Sequence, residues 1–252
     1  MGRIHLTIEG SIATIALDSP DKHNAVDAPM RKELTAAYEQ IENDDTVRVA
    51  IIHGASSGSF CAGGAIDGYL EGKVFGPRAA HLPRIPRPHP SKKPYIAAML
   101  GYALGGGFAL ALSCDLRVAG RGAKMGPTGL KLGAVQGAQT ITRLTRLIGG
   151  SKALEVLLLS KRLTGQQAAD MGLVHEVTED DKVLETAMGW ARTIAEFSPW
   201  TVSMTKKLVY EAQHMPLDAA MEWEDRVATE GYGRPEALEG FTAFQEGRKP
   251  VF

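Results

Sequence analysis

Cysteine is scarce in this chain of 252 residues, with Cys61 and Cys114 the two present. Two thiols make no disulfide framework, so the fold must rest on a buried core, and the length is sufficient for one. An excess of either charge is also missing. Lys and Arg total 28 against 29 Asp and Glu, a formal net charge of -1. Without a basic excess, nucleic acid is not expected as the main partner, although a local basic patch for a small anion fits the balance. No run reads as a membrane span. Tyr95 to Leu112 carries no charge and has Gly101 and Gly105 four apart. Yet the stretch is at the short limit for crossing, and Gly105-Gly106-Gly107 would be costly inside a helix. A buried strand, a glycine turn and a buried helix fit it better. Met1-Gly2-Arg3-Ile4-His5 runs straight into alternating residues rather than a leader pattern, so a cytoplasmic protein with reduced thiols is expected. Fixed-period repeats, low-complexity tracts, phosphate-loop and dinucleotide fingerprints, and His/Cys clusters at metal-ligand spacing are absent. No metal and no permanently bound cofactor is expected.

What is present reads as a globular α/β chain, 44% apolar and 23% charged. Ile4, Leu6 and Ile8 alternate with polar residues, and alternation resumes after Glu9-Gly10-Ser11, which predicts a hairpin with one buried face. Asp27 is a plausible N-cap for a helix that buries Met30, Leu34, Tyr38 and Ile41. Val47 to Ile52 predicts a buried strand. The stretch from Asp67 to Lys93 holds five prolines, three arginines and two histidines, and reads as a long functional excursion. A strand at Ile96 to Leu100, a helix ending near Ser113 and a strand at Leu116 to Ala119 follow it. Gly126 to Gly137 is a second glycine-rich loop. Ile141, Leu144 and Ile148 predict a helix ending at Gly149-Gly150, with Ser151 capping the next. Thr164-Gly165-Gln166-Gln167 is a capping-box pattern, and Val174 to Val177 a short strand. Beyond it only helices are expected, one with Leu184, Ala187, Ala191 and Ile194 on a face, one with Trp200, Met204 and Leu208.

Two glycine clusters draw attention. Ser59-Phe60-Cys61-Ala62-Gly63-Gly64 follows a strand and a loop, and Gly101-Tyr102-Ala103-Leu104-Gly105-Gly106-Gly107 joins a strand to a helix. Glycine admits close backbone approach, and a helix start presents unpaired N–H groups at the positive end of its dipole. If the two turns converge they make an oxyanion pocket; if they do not, they are tight packing turns.

These clusters, with Pro20-Asp21-Lys22-His23-Asn24-Ala25, Cys114-Asp115, Arg143-Leu144, Gly172-Leu173-Val174 and the ending Phe244 through Phe252, stand in an order that resembles the enoyl-CoA hydratase/isomerase (crotonase) superfamily over essentially the whole chain. The resemblance implies a crotonase-like spiral of repeated β-β-α units with a C-terminal helical trimerisation region. It places the spiral core and acyl-CoA pocket in residues 1–195 and the helical region in 196–252, and it implies a homotrimer or dimer of trimers. It further implies a coenzyme A thioester as substrate, its oxygen held by the N–H groups of Gly64 and Gly106. Lys22, Ala62, Phe244 and Lys249 would contact the CoA.

The departures from the family matter more. Hydratases of the family carry one glutamate two positions after the triple glycine and another in the following glycine-rich loop; the matching residues here are Ala109 and Gly129. Ala65 stands where an aspartate commonly follows the oxyanion residue. None of these side chains moves a proton, and each such group contributes roughly 10²–10⁴-fold. Thr128-Gly129-Leu130-Lys131-Leu132-Gly133 is similar instead to the loop of 1,4-dihydroxy-2-naphthoyl-CoA synthase and of ring-opening β-ketoacyl-CoA hydrolases, which make or break a carbon–carbon bond through the same enolate. Pro127 and Gln136 depart from that pattern in turn. Asp67, three residues after Gly64, and His89 in the excursion are the acid–base candidates, each with an ordinary solvated side chain as the competing reading. His81, Tyr69 and Gln136, the last as a water-positioning amide, are further candidates. His53 reads as a core histidine and Cys61 as a buried small hydrophobe. The expected activity is carbon–carbon cleavage or formation on a ketoacyl- or cyclic acyl-CoA. A hydratase or isomerase with relocated acids and a non-catalytic acyl-CoA binder are the alternatives.

Overall fold

A computed structural model of the chain describes residues 2–55, 58–71, 84–88 and 90–252. The hairpin is formed by β1 (Arg3–Glu9) and β2 (Ile12–Asp18), paired antiparallel from Arg3 opposite Asp18 to Glu9 opposite Ile12. α1 (Ala28–Asn43) follows, with the Asp27 side chain accepting the Met30 N–H and Pro29 in the first turn, and buries the stripe from Met30 to Ile41. Then come β3 (Val49–Gly54), the short α2 (Ile66–Glu71), β4 (Tyr95–Met99), β5 (Tyr102–Leu104), α3 (Gly106–Ser113), β6 (Leu116–Gly120), β7 (Lys124–Gly126), α4 (Thr140–Leu158), β8 (Leu163–Thr164), α5 (Gly165–Asp170), β9 (Glu176–Thr178) and α6 (Val183–Ala195). α7 (Pro199–Ala212), α8 (Leu217–Tyr232) and α9 (Pro235–Glu246) close the chain.

Among the described residues the strands form two layers. The larger sheet runs β1-β2-β3-β4-β6-β9, parallel from β2 onward, and the smaller runs β5-β7-β8. Parallel strands covered on both faces carry near-continuous apolar runs, which is why β3 and β4 read as unbroken hydrophobic stretches. Alternation still sorts their side chains. Ala50, Ile52, Ala97 and Met99 face the main core with α1 and α3. Val49, Ile51, Ile96 and Ala98 face Val183, Ala187 and Ala191 of α6. The chain repeatedly lays a strand in the large sheet, crosses to the second layer and returns by a helix: β3, the bridge of Cys61 to Ala103, α2; then β4, β5, α3; then β6, β7, α4. This is the spiral of β-β-α units that the resemblance implies.

Several expectations are corrected. The uncharged stretch holds an additional strand, β5, between Gly101 and the Gly105 turn into α3. One expectation holds: α4 is two helical stretches joined at a kink, where Gly149 leaves the helical angles at φ 76°. Of its expected stripe Leu144 alone is fully buried, and Ile141 is 39% exposed. On α6 it is Val183, not Leu184, that shares the buried face with Ala187 and Ala191. Trp200, Met204 and Leu208 are half-buried, because α7 buries no side chain fully, and α8 and α9 bury one each, Val227 and Ala243. Trp200, Met204, Leu208 and Val227 line an apolar hollow of about 1410 Å³ that Phe241, Phe244 and Phe252 also border. α7 is tied to the body by Asp115, whose carboxylate accepts the Tyr95 N–H at 2.7 Å, Lys206 Nζ at 2.8 Å and the Tyr210 hydroxyl at 2.9 Å. No described helix is long and apolar enough to cross a membrane.

Candidate active site

The two glycine turns converge. Phe60 and Cys61 donate their N–H groups to Leu100 and Tyr102, and Cys61 accepts from Leu104, which zips the first turn onto β5. On its other side Val26 donates to Gly63 and accepts from Ala65. The strand and the helix thus hold the turns edge to edge. A Cβ on Gly107 would fall 2.0 Å from the Cys61 carbonyl oxygen, and one on Gly63 would fall 3.3 Å from the Gly106 nitrogen. One on Gly106 would lie 3.5 Å from the Gly64 nitrogen. Side chains are therefore excluded by the mutual approach of the two backbones. Gly105 turns the chain into α3 at φ 54°, donating its own N–H to Gly126. Among the described residues neither the Gly64 nor the Gly106 N–H has an acceptor. Two donors at one spot, one of them the first N–H of a helix, can hold a developing oxyanion.

Two walls flank the pair. Ile85, buried, brings its Cδ1 to 2.8 Å from where a Cβ on Gly106 would stand. Thr128 Oγ1 lies 2.6 Å from the corresponding point on Gly105. The loop behind Thr128 makes a 3-10 turn, Gly129–Leu132, closed by Gln136, whose side-chain oxygen accepts the N–H groups of Thr128 and Gly129 at 3.0 and 2.9 Å. The Gln136 oxygen therefore serves its own loop, while its Nε2 reaches Thr140 Oγ1 only at 3.5 Å. Ala109 is buried on α3. At position 129 a Cβ would lie 2.8 Å from the Ala134 carbonyl oxygen and 3.0 Å from the Gln136 nitrogen, so the backbone leaves no room for a side chain.

Of the acid–base candidates, Asp67 opens α2 and forms an ion pair with Lys22 across 2.5 Å. The ammonium holds its carboxyl below the usual carboxylate range, chiefly through the hydrogen bond. Lys22 ends the 3-10 turn Pro20–Lys22, and Ala62 donates its N–H to the carbonyl of the next residue, His23. His89, His81 and the Tyr69 side chain lie outside the described residues. His53 is half-buried rather than a full core residue, with Nδ1 3.0 Å from the Gly54 oxygen, and burial lowers its pKa. Cys61 is fully buried, which pushes its thiol up to about 12. Phe244 is 86% exposed on α9, and Lys249 pairs with Glu196 at 3.0 Å. Among the described residues no hydrogen bond or ion pair joins Phe244 or Lys249 to the glycine turns. Nor does the lining of the large hollow include either turn. Ile85 and the bracing role of Gln136 escaped sequence reading, since each depends on a contact that forms only once the chain is folded.

Comparison with known proteins covers nearly the full length. The family model for enoyl-CoA hydratase/isomerase matches residues 7–252. A probable enoyl-CoA hydratase of Bacillus subtilis is 34% identical, over 100% of this chain and 99% of its own. The short-chain-enoyl-CoA hydratase of Clostridium acetobutylicum is 31% identical, over 99% and 97%. Among solved structures, the enoyl-CoA hydratase from Bacillus anthracis superposes with a TM-score of 0.91 at 28% identity, covering 99% of this chain and 98% of that one.

Proposed function

The chain belongs to the enoyl-CoA hydratase/isomerase family, and from that premise we propose that it is an acyl-CoA enzyme that cleaves or forms a carbon–carbon bond in a ketoacyl- or cyclic acyl-CoA. The observation that carries this reading is the pairing of two acceptor-free N–H groups, Gly64 and Gly106, with Ala109 and a Gly129 that has no space for a side chain. The pair suits an enolate: negative charge develops on the thioester oxygen, and prealigned donors are worth about 3 kcal/mol each there. The missing acids remove the usual means of activating water for hydration. In the cleavage direction water adds to the β-carbonyl carbon and the bond between the α and β carbons breaks. Its electron pair passes to the α-carbon and the thioester oxygen. The α-carbon then takes a proton, and the former carbonyl becomes a carboxylate, released from a linear substrate and still attached in a cyclic one, with one water consumed and one proton released. Formation of the bond uses the same enolate as nucleophile.

Lys22, Ala62, Phe244 and Lys249 are the residues we assign to the CoA moiety, and Asp67 and His89 the proton carriers. Asp67 takes a proton readily only when its pair with Lys22 opens. A homotrimer or dimer of trimers is the assembly we propose; the apolar hollow under α7–α9 supports it, because a single chain leaves that surface uncovered. The activities named for the two curated relatives favour a second reading, hydration with relocated acids.

Incubation of the purified protein with crotonyl-CoA, followed through the conjugated enoyl absorbance, separates the two. No loss of absorbance, together with turnover of a cyclic β-ketoacyl-CoA, is the expected result. Fast loss of the enoyl absorbance would overturn the carbon–carbon reading.

A further inference from the structure

Arg87, on the segment that covers Gly106, meets Arg143 at one turn, and Arg84 is near enough for its charge to act on Arg87. Residues 84–88 cross the glycine turn with Ile85 inward and carry Arg84 and Arg87 on either side of it. Arg87 is half-buried and donates to the Ala138 carbonyl. Arg143, in the first turn of α4, donates through Nε to Gln139 Oε1 at 3.3 Å. Both arginines thus grip the same turn, in which Ala138 and Gln139 hold φ of 58° and 64°, a left-handed conformation that residues with a side chain adopt at a cost. Burial is the main penalty on the charged form of Arg87, and Arg143 and Arg84 add to it as like charges. Among the described residues no carboxylate pairs with any of the three, and the ion pairs found there lie elsewhere. A partly desolvated cation cluster without a counter-ion is unfavourable alone and is relieved by an anion, for which planar guanidinium forks are well shaped.

Resting on the reading of Gly64 and Gly106 as the thioester site, we propose that Arg84, Arg87 and Arg143 receive a carboxylate carried by the acyl group, so that the ligand class is a carboxyacyl-CoA, either taken as substrate or made by cleavage. Position favours this source of negative charge over the CoA phosphates. Arg84 and Arg87 flank Ile85 in sequence, and Ile85 packs over Gly106, whereas Lys22 pairs with Asp67 at the start of α2. The same cluster explains how carbon–carbon cleavage, which creates a carboxylate, retains its product for the final protonation.

The test is calorimetric binding of pimeloyl-CoA and glutaryl-CoA against heptanoyl-CoA and pentanoyl-CoA, which match them in length but end in a methyl group. The carboxyacyl member of at least one pair is expected to bind about tenfold or more tighter, the worth of a charge-assisted hydrogen bond. Arg84→Gln, at an exposed position without partners among the described residues, and Arg87→Gln are expected to remove that preference. Affinity for heptanoyl-CoA, which also reports that each variant is folded, should stay within about threefold. Equal binding of acids and neutral chains overturns the proposal. So does an equal loss for both in the variants, which would put the guanidinium groups on the CoA phosphates. Absence of binding by any of the four thioesters would sink the acyl-CoA reading itself, and this inference with it.

Discussion

Gln136 occupies the space above Gly129. Its side-chain oxygen accepts the Gly129 N–H at 2.9 Å, and its backbone nitrogen lies 3.0 Å from where a Cβ on Gly129 would stand. The loop is therefore built around the absence of a side chain, and the missing glutamate is a consequence of its shape. Gly129→Glu should not confer hydration of crotonyl-CoA, alone or with Ala109→Glu. It should instead destabilise the protein by about 1–3 kcal/mol, the usual cost of forcing atoms into packed space. A fall in melting temperature of several degrees with no enoyl-CoA turnover is the expected pair of results; a gain of hydratase activity at unchanged stability would show that the loop opens freely.

The same contact predicts the behaviour of Gln136 itself. Gln136→Ala leaves the N–H groups of Thr128 and Gly129 without their acceptor, at a cost of about 1–3 kcal/mol. Gln136→Glu keeps an oxygen in place and should retain most of the stability. Urea denaturation of the two variants checks the order, and equal losses would mean that the bonds to the loop contribute little.

These two residues also mark how far sequence reading reaches here. The hairpin, the Asp27 cap, the capping box at Thr164 and both glycine turns were legible, because each signal lies within a few residues or repeats at a fixed period. β5, β7 and β8 were not, since strands of two or three residues show no period. Gln136 reaches back over seven residues, and Arg87 meets Ala138 from a segment 51 residues away, so neither could be found before the chain was folded. The stripe on α7 is half-buried for another reason: its apolar pattern is genuine, but the chain by itself leaves it uncovered.

Lys22 and Asp67 offer a pH-dependent prediction. Both side chains are more than half exposed, at 54% and 63%, so the pair should add little to stability and be weakened by salt. Its sign is nonetheless defined. The Asp67 pKa is depressed in the fold, so the contribution is present above the ordinary carboxylate pKa and is lost as pH falls through the lower, folded value. Lys22→Gln should move the Asp67 carboxyl titration, followed by NMR, up toward the usual range, and should weaken binding of acetyl-CoA several-fold if Lys22 serves the CoA phosphates. An Asp67 titration that stays where it was would show that the pair does not form in solution.

Gly106 and Gly107 are adjacent in sequence and should respond in opposite ways to alanine. At Gly107 the added carbon meets the Cys61 carbonyl oxygen at 2.0 Å, and both backbones are pinned, Cys61 by its bonds to Tyr102 and Leu104. Gly107→Ala should lose roughly 3 kcal/mol or more, or fail to fold. At Gly106 the nearest atom is the tip of Ile85, a side chain that can turn aside. Gly106→Ala should fold, with a melting temperature within a few degrees of the parent. Its methyl, however, points to within 3.5 Å of the Gly64 nitrogen and intrudes where the thioester oxygen would bind. Turnover should therefore fall by about 10²-fold or more, the scale of losing one oxyanion donor. A folded Gly106→Ala variant with full activity would remove these two N–H groups from the mechanism.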